Sequence, residues 1–435
     1  MSETTPPVNK SALWIVFLIV VVDLLGFGIV LPLLPVTGDE YISALFPNLD
    51  KANRDRVAGP IIGLLMASFS LMQFVFAPIW GRVSDRIGRR PVLLVGLGGS
   101  IVCYVLFGYA AAIAPEENAV LAMTLLFVAR IGAGIAGATI PTAQAVIADT
   151  TTPEKRKTGM AMIGAAFGIA FTAGPLLGAL ALRFVSSERL AMSYTGYLAA
   201  GLSLVALVLA LTLLPETRRP GIAAGHRKWL DVSALKLVLA SSAIAPVVLI
   251  FFLATLGFGS FETTLAMLVR DTLGIEKRNA YWFFAYSGLV LIIVQGGIYR
   301  RLAKKWSEVT FIVTGIVLVA VGIIGLAGVA YLAYSGIGSY GLRLTLMLVA
   351  MAVAVTAFAF LTPSAQALVS RRAPADKQGE VLGINQSAAA MARILGPIVG
   401  LSLYKLTESH MLPFILGAVL LLAMLPMIPR IRRGE

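Results

Sequence analysis

Cysteine is almost missing from this chain: Cys103 stands alone, so no disulfide, thiolate zinc site or paired-thiol chemistry is implied. Charge is scarce too, at 13% of 435 residues, well below the usage of ordinary soluble domains. No glycine-rich phosphate-binding loop ending in Lys-Ser or Lys-Thr occurs, which excludes an ATP-driven engine of that type. Histidine numbers only two, and His226 falls in a polar central loop where it is assigned no chemistry. No cofactor and no metal site is expected, and the polar ends, 1–11 and 430–435, are too short to hold a soluble sensor domain.

What is present is apolar. Hydrophobic residues make up 58% of the chain, with a mean hydropathy of +0.88, which marks an integral membrane protein. A helix crossing the hydrocarbon needs about 20 mainly apolar residues. Such stretches fall at 12–35, 59–80, 91–113, 119–148, 158–184, 192–214, 243–269, 280–299, 309–334, 342–370, 380–405 and 411–429. Pro32, Pro141 and Pro363 mark possible kinks or helix ends. Basic residues cluster on the side that also holds both termini: Lys10, the arginines at 82–90, Lys155 to Lys157, Arg218 to Lys236, Arg300 to Lys305, Arg371 to Lys377 and Arg430 to Arg433. Basic loops stay in the cytoplasm, so both termini are expected there, in a cytoplasmic (inner) membrane. The net charge of +13 is spread over these loops. It reads as topology and contact with anionic membrane lipid, with no nucleic acid as partner.

The chain is also an internal duplication. Pro141, Gln144, Gly174, Pro175 and Gly178 recur as Pro363, Gln366, Gly396, Pro397 and Gly400, each pair 222 residues apart. A half-length repeat in so apolar a chain points to a transporter of two related bundles.

The second span ends in Gly81, Arg82, Val83, Ser84, Asp85, Arg86, Ile87, Gly88, Arg89, Arg90 and Pro91. This run resembles the signature loop of the major facilitator superfamily. Asp23, Gly26, Gly28, Pro32 and Pro35 resemble the first-helix motif of its twelve-helix drug:proton antiporters. Arg130 with Gly134 resembles the fourth-helix motif, and Gly168, Gly174, Pro175 and Gly178 resemble the fifth-helix antiporter motif. Leu214 to Thr217 resembles the end of the sixth helix, and the IAD at 147–149 is similar to tetracycline-type efflux proteins. The second copy of the signature loop, after Gln295, reads GGIYRRLAKKWSE and lacks the aspartate.

The resemblance implies an all-α membrane protein with the major facilitator fold, twelve transmembrane helices in two pseudo-symmetric six-helix bundles. These are expected over 1–217 and 241–435, joined by a cytoplasmic linker at 218–240. It further implies that Gly81, Asp85, Arg86, Gly88, Arg89, Arg90 and Asp149 form a gate. In it, Asp85 faces the start of the eleventh helix and Arg89 pairs with Asp149. It places the fifth and eleventh helices, with their Gly-Pro motifs, at the seam between halves.

Four ionisable residues fall inside spans, where charge costs several kcal/mol unless paired or hydrated. Asp23 lies about eleven residues, or roughly 16 Å, into its helix. Arg130 is similarly deep, Glu262 lies further along the seventh helix, and Arg393 sits near the middle of the eleventh. A buried carboxyl that gains and loses a proton suits proton coupling, with Asp23 the first candidate, Glu262 the second and Arg130 favouring the ionised carboxylate or the substrate-bound state. A permanent acid–arginine pair that only locks packing is the other reading. Arg393 either binds an anionic part of the substrate or neutralises Glu262. Gln73, Gln144, Gln295, Gln366, Asn385 and Gln386 either line a cavity or bond helices together. Phe258 and Phe261 suit a greasy cavity, although such aromatics also serve as packing, and Trp14 and Trp80 suit interface anchors.

The functional expectation is a monomeric, proton-coupled exporter of small organic compounds working by alternating access, not an enzyme. A metabolite or organic-anion carrier of the same fold is the alternative, and a non-transporting membrane sensor a more distant one.

Overall fold

A computed structural model describes residues 10–151, 153–182, 185, 187–218, 232–374 and 377–432. The central loop over 219–231, with His226, Arg227 and Lys228, lies outside them. So do Arg433 and the side chains of Lys10, Lys155, Arg156, Lys157 and Arg430.

Every regular element among the described residues is helical. This follows from the composition, since a chain in hydrocarbon must satisfy its backbone internally. The elements run α1 (Lys10–Val30), α2 (Leu34–Leu45), α3 (Lys51–Ile87), α4 (Arg89–Ala112), α5 (Pro115–Ala136), α6 (Ile140–Thr150), α7 (Pro153–Leu182) and α8 (Glu188–Leu213). They continue with α9 (Val232–Ala240), α10 (Ala245–Leu273), α11 (Lys277–Ile293), a π-helical turn Val294–Tyr299, α12 (Arg300–Leu302), α13 (Glu308–Tyr334), α14 (Tyr340–Arg372), α15 (Gln378–Leu406), α16 (Leu412–Leu422) and α17 (Ile428–Arg432). Ten helical spans among the described residues are long and apolar enough to cross a membrane, and two shorter apolar helices, Gly168–Leu182 and Leu412–Met427, accompany them.

The chain forms two compact units, one of Met1–Thr37 with Ser68–Trp229 and one of Gly38–Ala67 with Leu230–Glu435. In each, the Gly-Pro motif lets two helices meet at the backbone. In the first unit α1 lies on α7, and a Cβ on Gly174 would stand 3.0 Å from the Cα of Gly28. In the second, α10 lies on α15, and a Cβ on Gly400 would stand 2.8 Å from the Cα of Ser260. The Ser260 hydroxyl donates to the Gly396 carbonyl at 2.9 Å. Hydrocarbon gives helices no hydrophobic reason to associate, so close approach of small residues supplies the van der Waals contact instead.

The repeat breaks where the two prolines sit. Proline has no N–H for the carbonyl four residues back. At Pro141 that carbonyl belongs to Gly137, where the chain leaves α5 and re-enters helix only at α6. The freed Gly137 oxygen accepts from Gln73 Nε2 at 3.1 Å, and the nearby Ile135 oxygen accepts from Trp80 Nε1 at 2.7 Å. Trp80 is therefore a clasp on a helix break, not simply an interface anchor. In the second copy α14 passes through Pro363 without interruption. Gln295, the counterpart of Gln73, falls in the π-helical turn instead and makes no hydrogen bond among the described residues. The first span also divides, α1 ending at Val30 and α2 starting at Leu34 around Pro32.

Candidate functional site

Asp23 projects from α1 into a small cavity of the first unit, whose lining includes the polar Gln73, Ser100, Tyr104 and Thr139 and the apolar Leu24, Phe69 and Ile140. The Ser100 hydroxyl donates to Oδ1 and the Thr139 hydroxyl to Oδ2, both at 3.3 Å. Thr139 belongs to the α5–α6 break, so the carboxylate and the broken helix share a hydrogen bond. Arg130, the residue expected to favour the ionised carboxylate or the substrate-bound state, is 2% exposed. Its guanidinium carbon lies 4.9 Å from the ring centre of Phe69 and 5.5 Å from that of Phe27, an arrangement in which aromatic faces attract a cation. Arg130 has two aromatic faces within reach, Phe27 on α1 and Phe69 on α3.

The signature loop is held by a residue to which the sequence reading gave no role. Gly88, between α3 and α4, has φ 110°, a backbone form that side chains rarely adopt. A Cβ there would also run into the Glu216 carboxylate. That carboxylate accepts from the backbone N–H of Arg89 at 2.9 Å and of Arg90 at 3.1 Å. It also accepts from Thr217 and Arg218 at 2.9 and 2.8 Å. Partial burial works against the charge, but these four N–H donors outweigh it and hold the Glu216 carboxyl below its usual range. Arg218 Nη1 donates to the Arg86 carbonyl at 2.5 Å and Arg90 Nη2 to the Leu211 carbonyl at 2.7 Å. With the loop so fixed, Arg89 reaches Asp149 at 3.2 Å and also pairs with Asp85 and the Ser84 hydroxyl. The Arg89–Asp149 pair implied by the resemblance is thus present. Asp85 pairs with Arg89, and Gly81 lies 3.6 Å, measured from an added Cβ, from Pro141.

In the second unit Glu262 is half-buried on α10 and Arg393 half-buried on α15. Neither makes an ion pair or hydrogen bond among the described residues, so Arg393 does not neutralise Glu262. Asn385 is fully buried with neither amide atom satisfied. Gln144 and Gln386 are exposed, Gln366 is half-buried, and none of the three bonds helices together among the described residues. Phe258 stacks on Phe358 with ring centres 3.9 Å apart and tilts against Phe261 at 5.7 Å. Among the motif residues Pro175, Gly178 and Pro397 are buried, whereas an added Cβ at Gly168 meets open space.

A second ionic cluster escaped the sequence reading altogether. Lys405 at the end of α15, with a side chain only 6% exposed, bridges Asp39 at 2.7 Å and Asp55 at 2.8 Å. Arg270 at the end of α10 bridges Asp39 at 3.1 Å and Asp271 at 2.7 Å. The Tyr404 hydroxyl donates to Asp271 at 2.9 Å. His410 stacks on the Tyr404 ring at 4.3 Å and donates from Nδ1 to its carbonyl at 2.7 Å. These groups border a cavity of about 420 Å³. The only sequence signal was the position of opposite charges at helix ends, which sheds no light on which ends meet.

No group of histidine, cysteine and carboxylate side chains among the described residues is arranged to hold a metal. Comparison with known proteins fits this site. The family model described as Major Facilitator Superfamily matches residues 16–342. The class B tetracycline resistance protein of Escherichia coli is 26% identical over 405 residues, covering 93% of this chain and 90% of that protein. The crystal structure of the human organic anion transporter MFSD10 superposes with a TM-score of 0.61 at 27% identity, over 98% of this chain and all of that one. A D-xylose-proton symporter superposes with a TM-score of 0.76 at 18% identity, over 98% and 99% of the two chains, a likeness of fold alone. Repeat, signature loop, helical architecture and family match agree: the chain belongs to the Major Facilitator Superfamily and is a membrane transporter.

Proposed function

We propose that this transporter exports small organic compounds in exchange for protons by alternating access. It would act as a monomer in the cytoplasmic membrane, with both termini in the cytoplasm and anionic lipid at its basic loops. The observation that supports this reading best is Asp23, a carboxyl within a membrane-spanning helix held by two hydroxyls, with no ion pair among the described residues. Such a group can take up a proton in one state and release it in another, while substrate occupancy favours the opposite opening. Glu262, half-buried and likewise without an ion pair, is the second candidate. Arg89, Asp85 and Asp149, positioned by Gly88 and Glu216, are the elements we assign to gating. Gly28 with Gly174, and Ser260 with Gly396 and Gly400, are the seams along which helices would shift.

The test is flux in proteoliposomes with an imposed pH gradient, using tetracycline-like compounds. Substrate is expected to move against release of protons. Asp23→Asn is expected to keep substrate binding and to lose gradient-driven accumulation. Flux that ignores the gradient in the parent protein, or coupled flux unchanged in Asp23→Asn, overturns the respective part of the reading.

A further inference from the structure

Arg393 is a cation that its own unit leaves unanswered. It lies sixteenth in the 29 residues of α15, about 22 Å along at 1.5 Å per residue, and so at hydrocarbon depth. A charge there costs several kcal/mol unless it is paired or hydrated, yet it has no ion pair, hydrogen bond or ring contact among the described residues. Nor do the helices around it offer a carboxylate. α9, α14 and α16 contain no acidic residue, and the only acid of α15 is Glu380 in its first turn. On α10, which lies against α15, the stretch from Ala245 to Phe261 contains no acid.

Glu262 of α10 does not fill the gap, since it forms no ion pair with Arg393 among the described residues. Leu256, Gly259 and Ser260 face Gly396 and Gly400 of α15. Arg393, three and seven residues before Gly396 and Gly400, lies close to the line that faces α10.

Polar groups without partners accompany the arginine along the same helix. Gln386, seven residues earlier and so on nearly the same face, is exposed and unbonded. Asn385 is fully buried with both amide atoms unsatisfied, a state that normally costs about 1–3 kcal/mol. From Arg393 to this amide pair is roughly 10–12 Å along the axis. The intervening turns are Ser387, Ala388, Ala389, Ala390, Met391 and Ala392, small or apolar. The arrangement is a guanidinium at one end, amides at the other and an apolar strip between.

We propose that Arg393 receives the anionic group of the transported compound, with Gln386 and Asn385 bonding a polar group at its other end. The substrate class is an organic anion, a carboxylate or sulfonate on a flat apolar body about 10 Å long. Guanidinium forms charge-assisted, two-pronged bonds to such groups, and the amides supply both donors and acceptors. This rests on the transporter reading above but not on proton exchange.

The test compares 6-hydroxy-2-naphthoate with its neutral amide, 6-hydroxy-2-naphthamide, as ligands of the purified full-length protein, by ligand-induced thermal stabilisation. The acid is expected to bind at least tenfold more tightly than the amide. Arg393→Gln is expected to erase that preference, Arg393→Lys to keep part of it, and Gln386→Leu to weaken the acid several-fold. Should Arg393→Gln fail to give a monodisperse protein, Arg393→Lys and Gln386→Leu carry the test. Equal binding of acid and amide by the parent protein, binding of neither, or a preference that survives in every variant overturns the assignment. Chloride that protects as well as the acid at equal concentration also overturns it, since the resident anion would then be inorganic. No gradient is used, so this result stands or falls separately from proton-coupled flux.

Discussion

Glu216→Ala is the perturbation whose size follows most directly from the structure. It removes an acceptor from four backbone N–H groups, two of which, those of Arg89 and Arg90, open α4. Loss of a side-chain acceptor at a helix start costs about 1 kcal/mol, and loss of a negative charge there about 0.3–1 kcal/mol. Glu216 is exposed, so water replaces part of the bonding and salt screens the charge, which holds the sum near 1 kcal/mol. That is about a fivefold change in the local opening equilibrium. Hydrogen exchange of the peptide carrying the amides of Gly88, Arg89 and Arg90 reads it directly. The expected result is about fivefold faster exchange there with α10 to α15 unchanged. Glu216→Gln should fall in between.

The pH arm has a definite sign. A carboxyl held below its usual range when folded stabilises the loop above about pH 4.3, its value in the unfolded chain, and that contribution fades as pH falls through the folded value. The ratio of exchange between Glu216→Gln and the parent should therefore stay flat from pH 7 to pH 5 and close towards pH 3. Unchanged exchange in Glu216→Ala, or acceleration spread evenly over the chain, would refute the assignment of Glu216 as the clamp of the signature loop.

Three further outcomes are expected. Gly174→Leu drives a side chain into the backbone of Gly28 and should cost about 1–3 kcal/mol, seen as a lower melting temperature in detergent; Gly168→Leu, which meets open space, should change little. Lys405→Met leaves Asp55 without its cation while Asp39 keeps Arg270, so a loss of about 3 kcal/mol is expected, much of it recovered in the double variant with Asp55→Asn; an equally severe double variant refutes the pairing. Asp85→Asn removes one of the carboxylates from Arg89 and should slow turnover in proteoliposomes while leaving substrate affinity unchanged, whereas normal turnover counts against a gating role.

Much of this was legible in the sequence, for definite reasons. Spans announce themselves because hydrocarbon tolerates so few residue types, and the spacing of Gly174 and Gly396 announces backbone contact because only small residues permit it. The partner of Arg89 was legible through the signature loop. Contacts that depend on how helices are turned were not. Phe27 and Phe69 lie against Arg130, and no spacing rule encodes a ring face from another helix. Pro141 and Pro363 are identical in the repeat, yet only the first stands at a helix break, where Gln73 takes the freed Gly137 carbonyl. Lys405 and its aspartates lie hundreds of residues apart, and only the fold joins them.

The two hydroxyls that hold Asp23 have a consequence for either form of its carboxyl. Hydroxyls from Ser100 and Thr139 can donate to a carboxylate or accept from a carboxylic acid, so both forms of Asp23 find company without rearranging the helices. In the proton-exchange reading proposed above, a proton taken up or released at Asp23 would act directly on the helix break to which Thr139 belongs.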